Sequence, residues 1–431
     1  MKFDQIAGRA VAMIGAGMIL LRRFGAEAAA PAIGQTPAIP QAKPQGIPTL
    51  KMPTAHGWKN GHLPTTAPGL KVNAFATGLR HPRSLTVLPN GDVLTAEARF
   101  LPGGISSPFD YAMFVTMKRA AAAGDSPNRI SILRDADGDG VAEVVQVFRD
   151  GLTQPFGTAV LGDTLYVGNV DELLAFPYTP GALTLTGTPK SLARFKSGGH
   201  WTRSLILSPD GTKLYIGVGS DTNIADDGMA KEEGRARITE FDIASGTMRP
   251  YATGLRNPVG TAWEPQTGAL WTVVNERDGL GDETPPDYLT SVKDGGFYGW
   301  PYCYWDRIID DRVPQDAAAV ASALTPDYAL GGHTASLGLC WMPAGTLPGF
   351  GDGMVIGQHG SWNRSKLSGY RVIHVPFAGG KPSAPARDIL TGFLSPDEKL
   401  SYGRPVGVCL KDGALLVADD VGDCIWRVTG A

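Results

Sequence analysis

Basic and imidazole side chains recur along this chain at one kind of position, just ahead of a short apolar run. Arg83, His200, Arg203, Arg256, Asn257, His333, His359 and Arg404 all stand there. Gathered at one point they suit an anionic ligand and proton transfer, because a neutral imidazole titrates near working pH and a guanidinium grips carboxylate or phosphate. His200, in G-G-H-W-T-R, reads either as a general base or as a turn histidine bonded to a nearby carbonyl. Arg256-Asn257-Pro258 and Arg404-Pro405 share an Arg-then-Pro pattern. Proline sets φ and asparagine tolerates turn conformations, but no turn requires the arginine, so ligand recognition is favoured at both.

The elements that must position these residues form a repeat. Copies begin near Gly78, Gly151, Gly199, Gly254, Gly332 and Gly403, each a Gly-containing turn, an apolar run, a second turn such as P-N-G-D or P-D-G-T, and another apolar run. Each copy reads as a β-hairpin, and the gaps between copies leave room for two more strands. The predicted fold is all-β, a six-bladed β-propeller of four-stranded blades, in which residues preceding each innermost strand converge on a central channel. Leu70 to Ala76 reads as a lone early strand, and the last repeat ends three strands long at Val428. Closure by the early strand, as fourth strand of the last blade, removes both sheet edges.

With 56 Gly and 33 Pro in 431 residues the composition suits many short strands and argues against a helical bundle. A net charge of −3 with no basic stripe gives no footprint for nucleic acid. Lys2 and Arg9 precede an apolar stretch from Ala10 to Leu21, and Ala26-Glu27-Ala28 offers a small-residue cleavage site. Residues 1–30 therefore read as a signal peptide, or as a short uncleaved anchor because Arg22 and Arg23 intervene, and the protein is expected to be periplasmic or secreted. Residues 31–68, rich in Pro, Ala, Gln and Thr, read as an extended linker or strap, with the propeller and its catalytic site in 69–431.

Asp135 to Glu143 (D-A-D-G-D-G-V-A-E) opens like a calcium loop but has Gln146 where the bidentate Glu belongs, which favours a polar turn. Asn275 to Glu283 (N-E-R-D-G-L-G-D-E) is either a solvated acidic loop or a holder of a hard cation. Tyr111 to Ala123 reads as a helix inserted in the first blade, where it would cover the mouth. Of the four cysteines, Cys409 and Cys424 lie two strands apart, roughly 9–10 Å, beyond disulfide reach. Cys303 with Cys340 remains possible. No C-x-x-C-H occurs, so no c-type haem is expected.

Taken in order, G-H-W-T-R, G-L-R-N-P, N-E-R-D-G-L-G-D, G-G-F-Y-G-W-P, Q-H-G-S-W-N-R-S-K-x-S-G-Y-R and Y-G-R-P-V-G resemble the glucose/sorbosone dehydrogenase family, nearest its sorbosone dehydrogenase-like branch. The motifs run from about residue 78 to 428. The resemblance implies a six-bladed propeller that binds pyrroloquinoline quinone with Ca²⁺ on its axis, oxidises a sugar and passes the electrons to an external acceptor. It implies His200 as general base, Arg256 as the charge-stabilising arginine beside the quinone carbonyl, and Asn257 as a cofactor contact. It further implies Arg404, Lys366 or Arg364, and His359 as cofactor-binding residues, with the carbonyls of Asp278 and Gly279 on Ca²⁺. Soluble glucose dehydrogenases carry Asp before the catalytic His and Gln two residues after the Arg-Asn pair, where this chain has Gly199 and Val259. A sorbosone-like aldehyde sugar or another aldose is then as plausible as glucose. Two other readings are a metal-dependent lactonase, recruiting Glu97, Asn169 and Asp419, and a non-catalytic binding propeller.

Overall fold

Alternating short strands and tight glycine turns produce six antiparallel sheets arranged in a ring in the computed structural model, which describes residues 32–46, 49–101 and 108–431. The export segment expected at residues 1–30 lies outside the described residues. Blade one is Pro82–Val87, Val93–Glu97, Arg129–Arg134 and Val144–Arg149; blade two is Thr158–Leu161, Thr164–Gly168, Glu172–Pro177 and Lys190–Arg194. Blade three runs from Leu205–Leu207 to Met248–Thr253, blade four from Pro258–Glu264 to Tyr328–Gly332, and blade five from Ser336–Met342 to Arg387–Thr391. In blade six Leu70–Ala76 pairs with Cys424–Gly430 beside Ala414–Asp419 and Pro405–Lys411, so the chain's early strand closes the ring. The predicted six-bladed propeller and its closure are both present.

The small residue near the start of each innermost strand has a steric reason. A Cβ at Gly157 would collide with the backbone of Arg203 and Leu205, and one at Gly338 or Gly407 with that of Val406 or Arg83. The inner strands thus pack backbone to backbone around the axis. A register shift interrupts the inner strand of blades one, four, five and six just after its first residue. Such bulges turn the strand end and re-aim the side chains there. Phe156, Val259, Leu337 and Val406, with Trp201 packed on them, form an apolar cluster contributed by residues of several blades.

The helix expected within blade one is Pro108–Arg119, between that blade's second and third strands. The described residues of 32–68 are tied to the propeller. Ile33–Gly34 pairs with the outer strand of blade four, Thr54–Ala55 with Leu400–Ser401, and Thr65–Thr66 with the outer strand of blade five. Side chains add to these pairings, with Ile39 and Ala42 packed on one apolar cluster and Trp58 on another. All four cysteines are free thiols, so Cys303 and Cys340 are not joined.

Candidate functional site

His200 sits in the turn before the first strand of blade three. Its ring Nδ1 lies 2.8 Å from the carbonyl oxygen of Ser220. A carbonyl only accepts, so Nδ1 carries the hydrogen and Nε2 keeps its lone pair. Burial, followed by the nearby Arg256 charge, lowers its pKa to about 3, well below the near-neutral titration expected from the sequence, which keeps the imidazole neutral. Gly199 permits the turn: its φ is +51°, and a Cβ there would collide with the backbone of Asp221.

Arg203, which the sequence grouped with the channel residues, has a different task. It is fully buried and donates to the carbonyls of Lys196, His200 and Thr202. Arg235, unremarked in the sequence, donates to the carbonyls of Lys196, Gly198, His200 and Ser220. Two buried guanidiniums therefore hold the His200 turn through its backbone.

Arg256 is fixed by carbonyls as well. It donates to Asn223, Asn275 and Glu276 and to the Asn223 side chain, and lies 3.6 Å from the Asp278 carboxylate. Next to it, the buried Asn257 Oδ1 has no partner among the described residues. Glu276 behind Arg256 is a buried carboxyl pushed up by burial to about 8, so it is mostly neutral at pH 7. Asp278 projects its carboxylate towards Arg256, His333 (3.3 Å) and the Asn363 amide. Burial opposes the charge on this carboxylate, but the His333 hydrogen bond and Arg256 keep its pKa low.

A second cluster comes from blades five, six and one. His359 Nε2 lies 2.9 Å from Asp420 Oδ2, His81 Nε2 3.2 Å from it, and Arg83 forms an ion pair with the same carboxylate. Burial alone would raise the Asp420 pKa; His359, His81 and Arg83 instead hold it well below the usual range. Arg404 donates Nε–H to the carbonyl of His359 and Nη2–H to that of Gly360, with its guanidinium 5.3 Å from the Tyr370 ring centre. The Arg83 guanidinium stands 5.5 Å from the ring of Trp201, the neighbour of His200, and so links the two clusters.

The structure thus brings together His200, Arg256, Asn257 and Asp278 on one side, and His359 and Arg404 on the other. Arg364 is spent elsewhere, on Glu283 and the carbonyls of Gly332 and Lys366. Lys366 is exposed. Neither supplies the second buried cation beside Arg404; Arg83 does. Sequence reasoning named Arg83 as a channel residue but missed Asp420, His81 and Asn223. The available signal was that Asp420 follows the second strand of its blade directly, as Asn169 does in blade two.

The paired carbonyls proposed for Ca²⁺ do not fit that role. The Asp278 carbonyl already accepts from Arg277 Nη2 (2.8 Å) and Asn223 Nδ2 (3.0 Å), so a cation there would meet a guanidinium. The Gly279 carbonyl accepts the backbone N–H of Gln45. Among the described residues, the one acidic group with ligand-like spacing is Asp135, Asp137, Asp139 and Glu143, on a largely exposed turn of blade one. Its carboxylates cap backbone N–H groups of the same loop, as a polar turn does. Glu97 and Asp419, recruited in the lactonase reading, are both consumed: Glu97 by Arg129 and Ser131, Asp419 by two tryptophans and backbone N–H groups. They do not form a metal cradle.

A family profile described as TrAA12-like matches residues 130–430. A pyrroloquinoline quinone-dependent pyranose dehydrogenase of Coprinopsis cinerea is 27% identical over 289 residues, covering 56% of this chain and 38% of that protein. The match thus spans well under half the length of that relative. Among solved structures, a calcium structure of the Trichoderma reesei carbohydrate-active enzymes family AA12 has a TM-score of 0.69 at 22% identity, covering 85% of this chain and 97% of that one. The holo form of the pyranose dehydrogenase quinone domain from Coprinopsis cinerea has a TM-score of 0.67 at 21% identity, covering 88% and 100%. At these identities the two structures establish the shared fold.

Proposed function

The chain belongs to the TrAA12-like family, and from that membership we propose that it oxidises a sugar with pyrroloquinoline quinone as cofactor and releases the electrons to an external acceptor. One observation carries the reading: a neutral His200 with a free Nε2 lone pair, held beside the fixed charge of Arg256.

The residues present suit a flat aromatic tricarboxylate. Arg83, Arg256 and Arg404 outnumber the carboxylates Asp278 and Asp420 that pair with them, leaving positive charge for an anion. Arg83 Nε and Asn257 Oδ1 are buried without partners among the described residues, a donor suited to a ligand carboxylate and an acceptor suited to a ligand N–H or O–H. The buried apolar cluster of Phe156, Val259, Leu337 and Val406 adds no charge beside these groups. When bound, the quinone supplies the acceptor for the hydride that leaves the sugar carbon.

The chain's own residues do the rest. His200 Nε2 accepts the proton of the sugar hydroxyl while Nδ1–H stays on Ser220, so the imidazolium that forms keeps its hydrogen bond. Arg203 and Arg235 prevent the turn from drifting as that charge appears. Arg256, held by three carbonyls, cannot swing away and contributes a preorganised positive field. Arg404 and Arg83 bind the cofactor's carboxylates.

On substrate, we favour an aldehyde-bearing sugar such as sorbosone, or an aldose other than glucose. The turn at Gly199 has no room for the aspartate found there in soluble glucose dehydrogenases, and Val259 is buried in the apolar cluster. Export to the periplasm or medium rests on the N-terminal sequence alone.

The test is dye reduction by purified protein with a panel of aldoses and aldehyde sugars, with and without added pyrroloquinoline quinone, beside a His200→Ala variant. Turnover that needs the quinone and is lost in the variant supports the reading. Failure of the quinone to bind, measured by calorimetry, would remove it.

A further inference from the structure

The segment before the propeller touches the site at several of its walls. Lys43 N–H donates to the Leu280 carbonyl at 2.8 Å and Gln45 N–H to that of Gly279 at 3.0 Å. Farther along, Lys51 N–H donates to the Trp362 carbonyl at 2.8 Å, and its ammonium reaches the Ser365 carbonyl and Glu398. Thr54–Ala55 then pairs with Leu400–Ser401, just ahead of Arg404. The strap therefore lies on the loops that carry Asp278, Asn363 and Arg404.

Its most committed side chain is Trp58. The ring packs edge-on against Phe393 and Trp426, at centroid distances of 5.5 and 5.4 Å, and its Nε1–H donates to Asp419 Oδ2 at 2.7 Å. The other oxygen of that fully buried carboxylate accepts the backbone N–H of Arg404 at 2.8 Å and that of Gly422 at 2.8 Å. Trp426 Nε1–H completes the set on Oδ2 at 3.0 Å. Burial pushes the Asp419 carboxyl up, so each donor bears directly on whether it stays ionised. The arrangement needs two glycines: a Cβ at Gly403 or Gly422 would collide with Asp419 and approach Trp58 within 2.7 or 2.8 Å. Nothing in the reaction uses Trp58, and it lies outside the 130–430 span that matches the family.

We propose that the strap is a working part of the cofactor site, with Trp58 as a positioning residue that fixes Arg404 through Asp419. A strand end without a buried anion would leave the Arg404 N–H unpaired and let its backbone, and hence its guanidinium, shift. The inference rests on the reading of Arg404 as a ligand of the quinone's carboxylates.

The test is the affinity of the apoprotein for pyrroloquinoline quinone, measured by calorimetry in wild type, Trp58→Phe, Arg404→Lys and the double variant, with melting of each apo form. Phenylalanine keeps the packing and removes only the N–H. The expected result is a roughly tenfold weaker quinone affinity in Trp58→Phe, a smaller loss when the same change is made on Arg404→Lys, and a similar direction for Asp419→Asn. A quinone affinity equal to wild type in Trp58→Phe would overturn the inference and leave the proposed function standing. An equal loss in both backgrounds would also overturn it, since the effect would not pass through Arg404. Absence of quinone binding by the wild type would overturn both.

Discussion

His200 Nδ1 lies 2.8 Å from the Ser220 carbonyl oxygen and 3.2 Å from the hydroxyl of the same residue, and the bond to the carbonyl, which needs Nδ1–H, leaves Nε2 as the only basic nitrogen of the ring. Because the acceptor is backbone, the tautomer is set by the fold rather than by a second ionisable group.

Replacing His200 with Ala should therefore remove the base without dismantling the site. We expect kcat to fall by roughly 10²–10⁴-fold, with quinone affinity changing far less. Single-turnover dye reduction alongside calorimetry separates the two, and retention of wild-type kcat would exclude His200 as the base.

Gly199→Ala should be costly although it adds one methyl group. It forces a side chain onto φ +51° and into the backbone of Asp221. A loss of roughly 1–3 kcal/mol, read by urea unfolding, with reduced kcat because the adjacent His200 moves, is the expected outcome. An unchanged unfolding midpoint would show that the turn has slack.

The cation assignments separate cleanly. Lys366→Ala should change quinone affinity by less than about twofold, since an exposed ammonium is screened by solvent. Arg83→Ala and Arg404→Ala should each weaken it by roughly tenfold or more, each removing a buried charge-assisted contact. Equal effects at Lys366 and Arg83 would contradict the placement.

Acid should destabilise the apoprotein before carboxylates protonate. Burial holds His81, His200, His359 and His374 at about 4, 3, 3 and 4, below the ordinary 6.5. Below pH 6.5 these histidines bind protons in the unfolded chain that the folded one refuses, so their contribution to stability is complete above that pH and is lost as pH falls towards 4. Glu276 and Asp310, raised by burial to about 8 and 6, act in the opposite sense and offset part of the loss. The net slope should approach roughly 1.4 kcal/mol per pH unit for each uncompensated proton. His374→Gln, at a residue of the third strand of blade five, should flatten the curve measured by urea unfolding between pH 7 and 5. A flat wild-type curve over that range would refute the prediction.

The repeat was readable because each blade is specified locally: a glycine turn, two apolar runs and a small residue where inner strands touch. Closure by Leu70–Ala76 could be counted from strand number alone. His200, Arg256 and Arg404 stood out because a turn has no use for their side chains. Trp58 did not, since a lone tryptophan in a Pro-rich stretch carries no periodic signal. The Asp420 cluster was also hidden: its four members, His81, Arg83, His359 and Asp420, are separated by up to 339 residues of chain.

The sequence by itself determined the blade count, the order of the blades and which residue types would meet on the axis, because β-hairpins and their turns are short-range objects. Only the tertiary structure decided which carbonyls and carboxylates each basic residue meets, and so where each guanidinium is held. Arg203 and Arg364 look like Arg256 in the chain, yet one binds carbonyls beneath the His200 turn and the other pairs with Glu283. Which partner a buried guanidinium finds depends on the carbonyls and carboxylates that ring closure brings beside it, and those come from distant blades.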